Sequence, residues 1–510
     1  MRTVVVTGDP LSIGDVVDVA RGRARAELGP DVGDRMARSL AFVAGVVERG
    51  DVVYGVTTGF GALADTHVGG ADMIRMQHAL LRSHAAGVGR PLPDETVRAL
   101  LLLRARTLAA GYSGCRADLP QRLLELLDRG LLPEVPEKGS VGCSGDLAQL
   151  AHLALPLIGE GRLRDAGSGT SRPAAEVLSA YGVAPLVLGP KEGLSLLNGT
   201  EPMQALLAFA VHDVALLATV ADIACAMNVE AQLGTDRSYD ARVQALRPHA
   251  GQAASASNLR ALLAGSPLLA SHRDSSHAVQ DSYCLRCAPQ VHGAVRDVLT
   301  FARQTIETEL GSVVDNPVVI DDEVLTTGNF HGEPLAFAAD MLAIAVSELA
   351  SIAERRVDRI LDPAFSRGLP PFLARDAGTN SGYMIAQYTA AALVSENKVL
   401  AHPASVDSIP TSGKQEDHVS MGWHAVRKLA DVVDNVRTVL VVELLCAAQG
   451  LDLRADVAEP GLATGAVRAA LRAAVAHMDV DREVTPQIEA IRVMLPDLVA
   501  AAESVTGPLA

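Results

Sequence analysis

Residues 139–147, with the sequence Gly-Ser-Val-Gly-Cys-Ser-Gly-Asp-Leu, place a small residue, a serine and a glycine in a row inside a glycine-rich segment. Glycine allows backbone angles that are closed to other residues. The chain could therefore fold back until the amide nitrogen of Gly145 reaches the carbonyl carbon of Cys143. Ring closure and dehydration at Ser144 would then give a five-membered ring that carries a methylidene group. The segment predicts an electrophile made from the chain itself.

Other interpretations of this segment fit less well. A nucleophile elbow of the form G-x-S-x-G needs glycine at position 146, where the chain has Asp146. A phosphate-binding loop needs Lys-Ser or Lys-Thr after the glycines, and neither follows here. A plain surface loop is the ordinary interpretation of an isolated run of glycine and serine, so the choice depends on the rest of the chain.

Removing ammonia from an amino acid without a metal or pyridoxal poses two chemical problems. The amine is a poor leaving group, and the β-hydrogen is barely acidic. An electrophile that captures the amine eases the first problem, and a well-placed base addresses the second. A chain that does this chemistry should therefore also hold a base, a cation for the substrate carboxylate and a pocket for the substrate side chain.

Several segments resemble motifs of the histidine and aromatic amino acid ammonia-lyases, and the resemblance covers the chain from about residue 53 to residue 421. Beside the 139–147 loop, the segments are 53–61 (VYGVTTGFG), 82–87 (RSHAAG), 196–200 (LLNGT), 280–290 (QDSYCLRCAPQ), 328–334 (GNFHGEP) and 415–421 (QEDHVSM). In that family the loop tripeptide becomes 4-methylideneimidazol-5-one (MIO). The resemblance therefore implies MIO from Cys143, Ser144 and Gly145, with no external cofactor and no metal. Cysteine stands where the family most often has alanine.

The resemblance assigns roles to three residues around this electrophile. It implies that Tyr54 takes the β-proton, that Asn198 hydrogen-bonds the MIO carbonyl oxygen where charge builds, and that Phe330 packs near the MIO ring. Taken alone, Tyr54 would be a structural tyrosine and Asn198 an N-cap of the helix that follows. The matching neighbours on both sides favour the catalytic interpretation.

The segment 280–290 resembles the part of the family that holds the substrate. Arg286 would bind the carboxylate, because a planar guanidinium matches a carboxylate with two hydrogen bonds. Tyr283, a catalytic residue in this comparison, and Gln280 would orient the substrate and MIO. Because the flanking segments are apolar, we expect a buried role for Arg286. Cys284 and Cys287 have the C-x-x-C spacing of metal and redox sites, so a thiol-redox or metal protein stays an alternative.

Two segments bear on the substrate. Ser83-His84 has the form found in histidine lyases, and Glu416 stands where the aromatic lyases carry an amide. A carboxylate suits an imidazole N–H, whereas beside a bare phenyl ring it would be a buried unpaired charge. The resemblance thus implies conversion of L-histidine to trans-urocanate and ammonia. The alternatives are an MIO lyase or 2,3-aminomutase acting on tyrosine or phenylalanine, and a catalytically silent helical scaffold.

The composition favours a helical protein in a reducing compartment. Hydrophobic residues make up 49% of the chain but aromatic residues only 3%, so the core must be built from Ala, Leu and Val, which suits closely packed helices. The formal net charge of −16 disfavours nucleic acid and anionic membranes as partners. The six cysteines show no framework spacing, which indicates a cytoplasmic protein.

Long apolar-periodic segments dominate after residue 200 and predict long helices at 202–232, 290–309, 335–361, 383–400 and 420–451. The first of them carries charged residues that are costly in lipid, so we expect a buried bundle helix there rather than a membrane span. We predict a mainly α fold, with an N-terminal MIO-loop domain over 1–200 and a long helical bundle over 201–510. The resemblance implies the long-helix bundle of the fumarase/aspartase-like superfamily. It also implies a homotetramer whose active sites draw on several subunits.

Overall fold

The fold is described by a computed structural model that covers residues 1–59, 61, 66–69 and 72–510. It is mainly α, as predicted. The helices are α1 (Ile13–Ala20), α2 (Val32–Arg49), α3 (Asp72–His84), α4 (Asp94–Ala109), α5 (Asp118–Asp128), α6 (Leu147–Ala154), α7 (Ala174–Ala180), α8 (Glu192–Ser195), α9 (Glu201–Ala231), α10 (Ala241–Ala245), α11 (Ala250–Leu262), α12 (Pro267–Ala270), α13 (Tyr283–Arg286), α14 (Ala288–Glu309), α15 (Glu333–Leu361), α16 (Met384–Leu400), α17 (Gly422–Asp452), α18 (Leu462–Ala474) and α19 (Thr485–Thr506).

Short strands form small sheets between these helices. They are β1 (Arg2–Val6), β2 (Ala24–Leu28), β3 (Val88–Pro91), β4 (Leu131–Pro133), β5 (Pro136–Lys138), β6 (Arg162–Asp165), β7 (Ser171–Pro173), β8 (Val318–Ile320) and β9 (Glu323–Leu325). β1 pairs with β2 in parallel, while β3 with β5, β4 with β6, β6 with β7, and β8 with β9 pair antiparallel.

The five long helices predicted after residue 200 are confirmed as α9, α14, α15, α16 and α17, each with ends within two residues of the predicted ones. Their length follows from uninterrupted apolar periodicity, because most of a long helix's stability comes from packing an apolar face. α9 is buried along nearly its whole length. A helix that is apolar on all sides belongs in a core.

The chain forms two compact units, and neither is continuous in sequence. The first contains Met1–His212, Arg303–Asp340 and Pro403–Arg427, and the second contains Asp213–Ala302, Met341–His402 and Lys428–Ala510. This division differs from the sequential one predicted at residue 200, because the chain passes from one unit to the other inside the long helices α9, α14, α15 and α17. The 1–200 and 201–510 domains stay a prediction.

The core of the first unit forms around α4, which is buried along most of its length and contacts α1, α5 and β4. In the second unit, the charged side chains of Asp222, Arg356 and Glu443 lie fully buried and paired. Asp222 accepts hydrogen bonds from Nδ1 of His292 at 2.7 Å and from Arg296 at 2.7 Å, and Arg356 donates to Glu443 at 2.9 Å. Buried charges are tolerated only when paired in this way.

Helices α9 and α15 are long and apolar enough to cross a membrane by length and composition. In the structure, 72% and 61% of their most apolar windows are buried inside the protein. α9 also carries Asp222 with the partners given above, and Glu230, which accepts a hydrogen bond from the backbone N–H of Gly461 at 2.7 Å. The burial and the paired charges agree with the predicted core helix.

Candidate active site

A cavity of about 900 Å³ in the first unit collects most of the residues that the sequence motifs single out. Its walls come from described residues between 54 and 68, from α3, the start of α6, residues 194–198, the 316–331 segment and residues 412–418. The predicted site residues that line it are Tyr54, Ser83, His84, Cys143, Ser144, Asn198, Phe330 and Glu416. Segments up to several hundred residues apart in sequence therefore meet at one place.

The cyclisation-prone loop is held against the start of α9 by its backbone. Gly145 has a left-handed backbone with φ of 71° and pairs with Gly199 in a short β-bridge, where the N–H of Asp146 donates to the Gly199 carbonyl at 2.9 Å. A Cβ atom on Gly145 would overlap the Gly199 carbonyl oxygen. Only glycine fits both the backbone angle and the close approach.

Asp146 fixes this loop from within. Its carboxylate is fully buried and accepts hydrogen bonds from the Ser140 hydroxyl at 2.6 Å and from the backbone N–H of Met203 at 3.1 Å. Burial raises the pKa of Asp146 to about 7. In the sequence, Asp146 indicates only that the segment is not a nucleophile elbow. An acid beside glycines was the available signal, but its partners are visible only in the fold.

Two other segments also form hydrogen bonds with the backbone of this loop. The Gly142 carbonyl accepts from the buried hydroxyl of Ser420 at 2.8 Å and from the N–H of Gly332 at 3.2 Å. The N–H of Met421 donates to the Val141 carbonyl at 2.9 Å. The motif segments 328–334 and 415–421 thus hold the loop directly, a structural role that sequence reasoning did not assign to Ser420.

Glu416 lies directly beside the loop tripeptide. One carboxylate oxygen, Oε1, accepts from the Ser144 hydroxyl at 3.2 Å. The other, Oε2, accepts from the Cys143 thiol at 3.2 Å and from the Thr411 hydroxyl at 2.7 Å. Burial and the nearby Glu416 charge raise the pKa of the Cys143 thiol to about 12, so the thiol stays protonated and acts as a donor.

His84 ends α3 at the cavity wall. Its Nδ1 lies 3.0 Å from the Leu80 carbonyl and 3.1 Å from the exposed Ser83 hydroxyl. Because a carbonyl only accepts, we assign the ring proton to Nδ1, which leaves Nε2 as an acceptor. Burial lowers the pKa of His84, against the opposing effects of the Leu80 carbonyl and of Glu416. The ring is therefore neutral at neutral pH.

The phenol of Tyr54 enters the same cavity. Its oxygen accepts a hydrogen bond from the backbone N–H of Gly61 at 3.2 Å. Gly61 also has a left-handed backbone, and a Cβ atom there would come within 2.6 Å of the Ser412 hydroxyl. The Tyr54 loop and the 411–416 loop therefore touch. Phe60, which belongs to the same sequence motif, lies outside the described residues.

Asn198 is buried at the base of the cavity. Its Nδ2 donates to the Asn316 carbonyl at 3.4 Å. The backbone carbonyl of Asn198 accepts a hydrogen bond from Arg104 at 2.6 Å, and Arg104 forms a fully buried ion pair with Glu201 at 2.7 Å. The arginine of α4 thus fixes the backbone of the 196–200 motif.

Gln280, Tyr283 and Arg286 belong to the second unit and do not line this cavity. The Arg286 guanidinium stacks on the Tyr283 ring, with 4.6 Å between its central carbon and the ring centroid. Tyr283 is 71% exposed, Gln280 is exposed and Arg286 is partly buried. The burial expected for Arg286 is therefore only partial in a single chain.

The short helix that carries Tyr283 and Arg286 is held by its carbonyl groups. The Tyr239 hydroxyl donates to the Leu285 carbonyl at 2.8 Å, and Arg356 donates to the Cys284 carbonyl at 3.1 Å. Cys284 and Cys287 both have free thiols. This segment thus presents an arginine and a tyrosine from a fixed backbone.

His331, Glu333 and His418 are grouped with their ligand-type atoms within 4.8 Å of one another. The nitrogens of His331 already have protein partners, because Nε2 lies 3.2 Å from the His418 carbonyl and Nδ1 accepts from the Glu333 N–H at 3.4 Å. His331 and His418 line the cavity. The group therefore contributes polar walls to the site.

Comparisons with known proteins agree with this geometry. Residues 11–473 match the family model described as aromatic amino acid lyase. The chain is 51% identical to a histidine ammonia-lyase of Streptomyces coelicolor, with all of both chains covered, and 51% identical to one of an Anaeromyxobacter species, covering 96% of this chain and 98% of the relative. Among solved structures it resembles histidine ammonia-lyase from Trypanosoma cruzi (40% identity, TM-score 0.91, 100% and 96% covered). It also resembles tyrosine aminomutase from Streptomyces globisporus (37% identity, TM-score 0.93, both chains fully covered).

Proposed function

Since the chain belongs to the aromatic amino acid lyase family, we propose that it is an ammonia-lyase that converts L-histidine to trans-urocanate and ammonia. The observation that carries the choice of substrate is the carboxylate of Glu416, which lies in the cavity 3.2 Å from the Ser144 hydroxyl. A carboxylate beside the reacting centre accepts the N–H of an imidazole. A phenyl ring would offer no hydrogen-bond donor to Oε1 of that carboxylate.

The tripeptide Cys143-Ser144-Gly145 fits the formation of MIO. Gly145 has the left-handed backbone and the lack of side chain that a tight reversal requires, and Ser144 opens onto the cavity. Attack of the Gly145 nitrogen on the Cys143 carbonyl carbon releases the carbonyl oxygen as one water, with the hydrogens of the Gly145 and Ser144 nitrogens. The Ser144 hydroxyl leaves with its Cα hydrogen as a second water. Once formed, the group supplies an electrophile for the substrate amine.

The family resemblance gives the remaining residues of the cavity their proposed roles, and their positions in one cavity support them. Tyr54 removes the β-proton of the substrate, and Asn198 hydrogen-bonds the ring carbonyl oxygen of the tripeptide. Phe330 packs beside the same ring. Ser83 and His84 line the part of the cavity that would hold the substrate side chain. Proximity in one cavity supports these assignments.

The binding of the substrate carboxylate needs a cation. The described residues that line the cavity include no lysine and no arginine. This supports a homotetramer in which Arg286 of another subunit binds the carboxylate, and Tyr283 and Gln280 of that subunit orient the substrate. The exposure of Tyr283 and Gln280 in the single chain agrees with such a role.

We further propose a cytoplasmic enzyme with a small-molecule substrate and without nucleic acid or membrane partners. The net charge of −16 and the free thiols support this placement. A lyase or 2,3-aminomutase that acts on tyrosine or phenylalanine is the alternative, and the products decide between them.

Two measurements on the purified protein test the proposal together. The intact mass should be two waters below the sequence mass, and the Ser144→Ala variant should lose no water. Offered L-histidine, L-phenylalanine and L-tyrosine in one mixture, the protein should consume histidine first and form trans-urocanate with one ammonia each. Full activity at an unmodified mass would exclude MIO, and a β-amino acid product would identify an aminomutase.

A further inference from the structure

The two oxygens of the Glu416 carboxylate have unequal partners. Oε2 accepts two hydrogen bonds, from Thr411 at 2.7 Å and from Cys143 at 3.2 Å. Oε1 accepts one, from the Ser144 hydroxyl at 3.2 Å. One oxygen is thus anchored to protein groups, and the other depends on a hydroxyl that the formation of MIO removes.

Thr411 is itself held in a fixed relation to Glu416. Their backbones pair in a short bridge, in which the Thr411 N–H donates to the Glu416 carbonyl at 2.9 Å and the Glu416 N–H donates back at 3.4 Å. Ser412, Gly413 and Lys414 between them all have left-handed backbones, with φ of 50°, 62° and 73°. Left-handed serine and lysine are unfavourable unless the surroundings impose them, and such strain is found at sites that need fixed geometry.

We propose that Thr411 is a positioning residue that holds Oε2 of Glu416, so that Oε1 alone is presented to the ring N–H of the histidine substrate. This inference rests on the proposed function. The Cys143 thiol is a second donor to the same anchored oxygen.

The loss of the Ser144 hydroxyl changes the hydrogen bonding of Oε1 of Glu416. When that hydroxyl leaves as water with the Ser144 Cα hydrogen, Oε1 loses the donor that it has among the described residues. A partly buried carboxylate oxygen without a donor is unfavourable, and an imidazole N–H restores the missing hydrogen bond. The terminal torsion of glutamate is broad, so without Thr411 either oxygen could turn toward the tripeptide.

A pair of variants isolates the Thr411 hydroxyl. Thr411→Val keeps the branched shape and removes the hydroxyl, whereas Thr411→Ser keeps the hydroxyl and removes a methyl group. Each is combined with Ser144→Ala, which lacks the competing hydroxyl and cannot turn over substrate, and L-histidine is titrated in by calorimetry. We expect Thr411→Val to bind histidine about tenfold more weakly and Thr411→Ser to stay within about threefold of the parent, as loss or retention of one charge-assisted hydrogen bond requires.

A second readout uses the variants with Ser144 intact. Thr411→Val should still be two waters lighter than its sequence mass, because Thr411 acts on the substrate and not on ring formation. Its KM for histidine should rise more than its kcat falls. The ratio of kcat/KM for histidine to that for phenylalanine should fall about tenfold, because only histidine has a ring N–H to lose its acceptor. A general loss of structure would instead lower kcat/KM for both substrates and leave their ratio unchanged.

The proposal is overturned if Thr411→Val binds histidine with the affinity of the parent, or if Thr411→Ser binds histidine as weakly as Thr411→Val does. It is also overturned if the intact mass of Thr411→Val, with Ser144 present, equals its sequence mass. If Thr411→Val does not yield folded protein, Thr411→Ala replaces it with the same expectations. Failure of the proposed function is distinguishable, because it would show as a wild-type protein that forms no urocanate from histidine.

Discussion

Cys143 and Asp146 flank the reactive pair Ser144-Gly145, and burial raises the pKa of both side chains, to about 12 and about 7. Each side chain therefore keeps its proton to a higher pH than usual, the thiol as a donor to Glu416 and the carboxyl beside Ser140. The tripeptide that we propose to cyclise is thus flanked by two groups whose charged forms are disfavoured by burial, and it lies beside the Glu416 carboxylate.

The raised pKa of Asp146 predicts a pH dependence of stability. The ordinary pKa is 3.8 and the folded value about 7, so the folded state binds a proton that the unfolded state has released. The contribution of Asp146 to the free energy of unfolding is fully present below about pH 4 and is lost as the pH rises toward about 7. Above about pH 7 this contribution changes little. Asp146→Asn imitates the protonated carboxyl and should lack this loss. The melting temperatures of the two proteins, each carrying Ser144→Ala, are compared at several pH values to test this expectation.

A constant difference in melting temperature between these two proteins from pH 4 to pH 8 would contradict the predicted titration. If the wild-type side chain became relatively more stabilising as the pH rose, Asp146 would instead be an ordinary charged acceptor for Ser140 and Met203.

At the residue level, motifs in the sequence identified much of the cavity wall, because the family signature lies in short segments. The sequence did not indicate a role for Thr411 or Ser420. Asp146 served there only to exclude a nucleophile elbow. Their roles depend on hydrogen bonds between segments that are far apart in sequence, such as Ser420 to Gly142. Threonines and serines are too common for their type alone to indicate such contacts.

At the level of elements, the long helices could be predicted because each shows apolar periodicity over many residues. The loops that form the site show no such pattern. The left-handed backbones of Ser412 and Lys414 are imposed by the bridge between Thr411 and Glu416, and no local propensity indicates them. Sequence thus predicts the scaffold more readily than the loops that carry the chemistry.

The loop around Gly145 offers a sharp test of backbone fit. Gly145→Ala adds a Cβ atom that would overlap the Gly199 carbonyl oxygen, on a backbone with φ of 71°. We expect the variant to fold but to retain both waters in its intact mass and to form no urocanate. Gly22→Ala is the matched control, because its φ of 70° is similar and a Cβ atom there meets nothing within 4 Å. Loss of the two waters in Gly145→Ala would show that the close approach is not needed for cyclisation.

At the level of the whole molecule, the chain crosses between its two compact units inside four long helices. No simple sequence boundary corresponds to such a division, which is why a sequential two-domain prediction differs from it. The cavity of the first unit holds the proposed base and electrophile, and Arg286 belongs to the second unit. In the homotetramer that we propose, the cation for each site comes from another subunit.

Subunit mixing tests whether sites are shared. Tyr54→Phe removes the proposed base and Arg286→Gln the proposed carboxylate partner, and each should lose at least about 100-fold in turnover. If the two residues of a site come from different subunits, randomly mixed tetramers should regain about a quarter of the wild-type activity, because half the subunits supply each intact residue. Co-expression of the two variants with separate affinity tags measures this. No recovery in purified hybrids would place Tyr54 and Arg286 of one site in the same chain.

The central claim is a lyase selective for histidine, and the most direct test is the ratio of kcat/KM for L-histidine to that for L-phenylalanine in the wild type and in Glu416→Gln. A site built to accept a ring N–H discriminates against a ring that lacks it by up to about 10⁴-fold, so the wild-type ratio should be large. Glu416→Gln should lower the ratio at least about tenfold, chiefly through loss of histidine turnover, because the charge-assisted hydrogen bond is weakened. A wild-type ratio near one, or a ratio that Glu416→Gln leaves unchanged, would contradict the assignment of histidine as the substrate.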